Sequence, residues 1–243
     1  YQSLPSLGRG FCMNFQSVNT LSESKAREEI GRVGLSLFQR GYVHATAGNI
    51  SMRISNGFLI TPTDACLGNL DPASLALLNS NGTQISGNKA SKTIALHRQI
   101  YSASDSAPGS QPAQCVIHTH STHCVSLSLN AQGPELLPPI TPYFVMKVGH
   151  VPLIPYFRPG DPAAAQVVAQ TIAQFAQKGT PIRAVMLAKL GPNVWHQDLA
   201  SAMATLEELE ETAKLMQLNS SQPPQNLSVE QIEELRQTFG AAW

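Results

Sequence analysis

Short strand-like runs alternate with amphipathic helical stretches along most of this 243-residue chain, and that alternation confines it to a layered α/β fold. Between residues 22 and 40 the apolar positions Ile30, Val33, Leu37 and Phe38 recur at helical spacing, with Ser22 as an N-cap and Gly41 closing the element. Residues 49–54 and 58–61 read as two strands of a hairpin, because Asn56-Gly57 supplies the positive φ angles of a tight turn. A helix is expected over 91–102, an exposed loop over 103–112 and a buried strand over 114–118. Strands near 151–155 and 183–188 flank a helix over 162–178, and a long helix starts at Asp198. That helix puts Ala202, Leu206, Leu209, Ala213 and Met216 on one face. Glu207, Glu208, Glu210 and Glu211 fall mostly opposite, as a solvated face. Residues 219–226 read as a polar linker, and residues 228–239 as a short terminal helix.

The length suits one large domain over 22–218, preceded by an arm over 1–21 and followed by the linker and terminal helix. Sixteen basic and sixteen acidic residues give no net charge, with 13% of positions charged. Such a chain has no electrostatic field to attract nucleic acid or an anionic membrane, so the expected partners are a small-molecule substrate and other copies of itself. Its apolar runs fall well short of the roughly 20 residues needed to span a bilayer, and no basic-then-apolar signal pattern is present. A cytoplasmic location is expected. Cys12, Cys66, Cys115 and Cys124 show no metal-type pairing and read as buried free thiols.

His118-Thr119-His120 follows an apolar strand, so strand alternation sends both imidazoles to the same side. That arrangement suits two ligands of one metal, or a hydrogen-bonded polar cluster. His123, offset by three, is expected to cap or pack. The run from Thr46 to Ser51 is a small, polar turn whose backbone N–H groups and hydroxyls could hold an anionic oxygen, and Thr61-Pro62-Thr63 could add to the same pocket. Each is also ordinary turn chemistry.

The order of these motifs carries more than any one of them. Gly41-Tyr42, Thr46-Ala47-Gly48-Asn49-Ile50-Ser51, Ile60-Thr61-Pro62-Thr63, Lys89-Ala90-Ser91-Lys92 before His97, and the run His118 to His123 follow one another. Thr141-Pro142-Tyr143, the run Pro155 to Asp161 and the run Glu207 to Lys214 come next. Together they resemble the class II aldolase and adducin family, most closely its sugar-acid branch that includes 3-oxo-tetronate 4-phosphate decarboxylases. The resemblance implies a three-layer α/β/α fold with a central mainly antiparallel or mixed sheet. It also implies a divalent metal, usually zinc, on three histidines, a nearby proton-moving glutamate, and a pocket for a substrate phosphate. His118 and His120 match two metal ligands. Thr46, Asn49, Thr63 and Ser91 match the anion pocket, with Lys92 beside it. Relatives commonly form tetramers with sites at subunit boundaries, so Tyr156, Arg158 and the terminal helix could serve a neighbour.

Three positions depart from that pattern. The third ligand histidine is replaced by Leu190, the catalytic glutamate by Thr93, and the glycine after Thr-Pro-Thr by Asp64. Leucine binds no metal, threonine is no carboxylate base, and Asp64 puts a negative charge where a phosphate is expected. Lys189, beside the missing ligand, is a candidate base or nucleophile. The expected activity is a divergent lyase acting on a small carbonyl compound through a stabilised enolate, with or without phosphate recognition. The alternatives are a metal-independent acid–base enzyme and a non-catalytic scaffold.

Overall fold

The computed structural model describes residues 21–243. The expected arm, apart from Leu21, and Cys12 lie outside the described residues. Helix α1 (Glu23–Gln39) begins where Ser22 accepts a hydrogen bond from the Lys25 N–H, and it leads into the hairpin of β1 (Asn49–Ile54) and β2 (Gly57–Ile60). Strands β3 (Ala76–Asn79) and β4 (Gln84–Ser86) follow, then α2 (Ile94–Ser106), β5 (Cys115–His118) and α3 (Thr122–Asn130). Further along the chain are β6 (Leu153–Ile154), α4 (Pro162–Gln177), β7 (Ala184–Leu187), β8 (Gly191–His196), α5 (Leu199–Leu218) and α6 (Val229–Phe239).

Among the described residues the strands form one eight-stranded sheet in the order β4-β3-β2-β1-β5-β8-β7-β6. Every neighbouring pair is antiparallel except β6 and β7, which run parallel, so the sheet is mixed.

Alternation along the central strands creates the layers. Ile50, Met52, Ile117, Met186 and Val194 face one way and pack with Ile30 of α1 and Leu206 and Leu209 of α5. Val116, Val185, Leu187 and Trp195 face the other way and pack with Ile100 of α2 and Val168 and Ile172 of α4. Helices therefore cover both faces, giving the expected three-layer α/β/α architecture.

Several local expectations need correction. Helix α2 starts at Ile94 and runs to Ser106, so residues 103–106 are helical rather than loop. Its end is tied down by Ser104, whose hydroxyl donates to the Tyr101 carbonyl and accepts the Ala113 N–H at 3.0 Å. Among the expected solvated glutamates, Glu210 is buried, at 3% exposure. Its carboxylate accepts the backbone N–H groups of His123 and Cys124, capping α3, and lies 2.8 Å from the His123 Nδ1. His123 thus packs against α5. Cys115 and Cys124 are buried free thiols, and Cys66 is a free thiol that is only half-buried.

Candidate functional site

The sheet itself builds the floor of the site. Asn49 at the start of β1 lies opposite His118 at the end of β5, and His118 lies opposite Asn193 of β8. Directly opposed residues of an antiparallel pair share a face, so these three polar side chains form a row on the α2/α4 side. Gly48 makes the close approach possible. Its φ is +84°, and a Cβ there would stand 2.7 Å from Val43 Cγ1 and 2.9 Å from the His118 carbonyl oxygen.

Above this floor is a cavity of about 220 Å³, whose lining includes Asn49, Thr63, Thr93, His118, His120 and Leu190. Thr46, Asp64, Ser91 and Lys92 also line it. The start of α2 and the segment 155–161 before α4 supply its remaining walls.

His118 is 5% exposed, and its Nδ1 lies 3.0 Å from the Pro192 carbonyl oxygen. A carbonyl can only accept, so Nδ1 carries the proton and Nε2 is left as a bare acceptor. Asn193 Nδ2 lies 3.2 Å from the same Nδ1, while its Oδ1 is buried without a partner among the described residues. Turning that amide over would give the oxygen a proton to accept. The His120 ring stands 5.0 Å from that of His118, centroid to centroid, nearly edge-on. Burial, with the neighbouring His120 adding to it, pushes the His118 pKa down to about 3. Burial and then His44 lower that of His120. Both rings are therefore neutral near pH 7.

Thr93, at the position expected for a glutamate, donates from Oγ1 to Asn49 Oδ1 at 2.9 Å. Ser91 Oγ lies 3.0 Å from Thr93 Oγ1, so a chain of hydroxyls fixes the Asn49 amide with its N–H groups left for a ligand. Behind the floor, Ser51 Oγ is 2.7 Å from both His97 Nδ1 and Tyr101 OH. His97 Nε2 is buried with no partner among the described residues.

Two other candidates fall differently. Lys189 is exposed, with φ +65°, in the turn between β7 and β8; its N–H donates to Ser128 Oγ, and it does not line the cavity. Arg158 lines the cavity of its own chain, whereas Tyr156 is 62% exposed and does not. Sequence reasoning missed Pro192 and Asn193 as partners of His118, and also His44. The signal for the first pair was the strand that Gly191-Pro192 opens.

The donor set does not fit a three-histidine metal centre. Two imidazoles meet, Leu190 occupies the third place on the cavity wall, and no group of three His, Cys, Asp or Glu side chains among the described residues is arranged to hold a metal ion.

Comparison with known proteins agrees with this architecture. Residues 28–217 match the family described as Class II Aldolase and Adducin N-terminal domain. A 3-oxo-tetronate 4-phosphate decarboxylase of Cupriavidus necator is 50% identical over 228 residues, covering 91% of this chain and 99% of that protein. The Escherichia coli protein of the same name is 40% identical over 217 residues, covering 88% and 96% respectively. Among solved structures, YgbL of Escherichia coli superposes with a TM-score of 0.77 at 40% identity, covering 88% of this chain and 99% of that one. An L-fuculose 1-phosphate aldolase shares the fold at 23% identity, with a TM-score of 0.74 over 91% and 98% of the two chains. A match across most of its length, at this identity, places the chain in the class II aldolase and adducin family.

Proposed function

We propose that this chain is a carbon–carbon lyase that decarboxylates a small 3-oxo acid without the three-histidine metal centre of the family. The observation that carries this reading is the convergence of His118, His120 and the Asn49 amide on one cavity that has no glutamate at the Thr93 position. Aldol cleavage requires a base to take a hydroxyl proton, whereas loss of CO2 from a 3-oxo acid needs only a place for an electron pair and a later proton. The relatives named as decarboxylases support the same choice.

In the reaction, the bond between the carboxylate carbon and its neighbour breaks and CO2 leaves. The electron pair moves to the ketone oxygen, forming an enolate, and the carbon that lost CO2 then takes up a proton. A neutral His120 retains one N–H, which together with the Asn49 N–H groups can donate to that oxygen as its charge grows. His118 is fixed as an acceptor at Nε2 and is suited to orient the water or hydroxyl that returns the proton. Lys92 and Arg158 provide positive charge for the substrate carboxylate.

The test is CO2 release from a panel of 3-oxo acids. Replacing His120 or Asn49 by alanine is expected to lower kcat about 100-fold, as loss of an oxyanion donor does. Equal CO2 release by the wild type and a His118→Ala, His120→Ala double variant would overturn the reading.

A further inference from the structure

The cavity lining combines a polar end, which carries Asp64, with a stretch of hydrocarbon. At the polar end, three backbone donors are already engaged. The Ala47 N–H donates to the His44 carbonyl, Thr63 N–H to Lys89 and Ser91 N–H to Thr61, at 2.9, 2.9 and 3.2 Å. The Ser91 and Thr93 hydroxyls belong to the chain that holds Asn49. Asp64 lines the same end and forms no ion pair among the described residues.

Charge points the same way. Among the described residues, the cations lining the cavity are Lys92 and Arg158, matched by the carboxylates Asp64 and Asp161. Arg158 already lies 3.5 Å from Asp161. A phosphate monoester carries about −1.5 to −2 near pH 7, so a phosphorylated 3-oxo acid would bring that charge in addition to its carboxylate. A single carboxylate is a far smaller demand on these walls.

Another part of the lining is hydrocarbon. Leu187, Leu190 and Phe157 line it, with Leu96 and Ala164 beside them. These residues belong to or pack against the core cluster under α2 and α4, or lie at its margin, so the wall continues the hydrophobic interior. A sugar hydroxyl placed there would lose its water and find no partner. An apolar group placed there gains by leaving water.

We propose that the site takes a 3-oxo acid bearing an apolar group on its ketone carbon and no phosphate, with that group resting on Leu187, Leu190 and Phe157. The inference rests on the decarboxylase reading for the 3-oxo acid headgroup, but its binding consequence can be measured without turnover.

Calorimetric titration with two inert probes, 3-phenylpropanoate and 4-phosphoerythronate, tests it. The wild type is expected to bind 3-phenylpropanoate at least about tenfold more tightly, and Leu190→Asn to weaken that binding about tenfold while Leu190→Met does not. Asp64→Gly is expected to tighten 4-phosphoerythronate binding and leave 3-phenylpropanoate unchanged. Tighter wild-type binding of 4-phosphoerythronate would overturn the proposal, even if Leu190→Asn failed to fold. CO2 release from 3-oxo-3-phenylpropanoate separates the two ideas. Binding of 3-phenylpropanoate with no release from any 3-oxo acid removes the lyase reading and leaves the pocket. Release only from the phosphorylated acid, with no binding of 3-phenylpropanoate, removes the pocket and leaves the lyase.

Discussion

Asn49 lies directly across the β1–β5 ladder from His118, and Thr93 Oγ1 holds its amide oxygen at 2.9 Å. A hydroxyl therefore stands where the family resemblance places a carboxylate, and it aims a neighbour rather than moving a proton. Thr93→Val preserves shape and removes that bond. It is expected to lower kcat for decarboxylation about fivefold to tenfold, the worth of roughly one hydrogen bond, with little change in thermal stability. Steady-state CO2 release with a melting curve checks both.

Leu190 fixes a second expectation. Restoring an imidazole beside His118 and His120 supplies the third nitrogen that a tetrahedral zinc site requires. Leu190→His is expected to purify with close to one equivalent of zinc and the wild type with far less, as measured by elemental analysis. Equal zinc in both proteins would show that Leu190 does not control metal binding.

How far the sequence revealed this site depended on which forces left a local trace. His118 and His120 were legible because strand period alone sends them to one side, and Ser22 was legible because an N-cap is local chemistry. Strand β4 was not, since Gln84–Ser86 is exposed throughout and carries no alternation. Strand β8 was hidden by Gly191-Pro192, which reads as a turn; proline is tolerated there because it sits near the strand's first residue. Helix α3 is short and rich in Ser, Thr and Cys, and its start is capped by Glu210 from 86 to 87 positions further along the chain. No local pattern announces such a cap.

That cap gives a stability prediction. Glu210→Ala strips the Glu210 acceptor from the His123 and Cys124 N–H groups and from the His123 ring. A loss of about 2–3 kcal/mol is expected in urea unfolding, and Glu210→Gln, which keeps one oxygen, should lose less.

The buried His97 sets a pH dependence. Burial, reinforced by His118, pushes its pKa from 6.5 down to about 3 in the folded protein. The unfolded chain therefore binds the extra proton first as pH falls, so the stabilisation is complete above pH 6.5 and is lost on the way down towards pH 3. Between pH 7 and pH 5 this one residue is expected to remove about 2 kcal/mol. His97→Asn should flatten that slope, as followed by denaturant midpoints at the two pH values.

Because Asn49 and His118 are part of the sheet while the segment 155–161 and the turn before β8 supply other walls, the groups proposed to act on the substrate and most of those proposed to select it are carried by different pieces of chain. Replacing residues in that segment can retune the range of accepted molecules without shifting His118, Asn49 or Asn193. A scaffold divided in this way can acquire new substrates by small steps, each leaving the bond-breaking groups where they were.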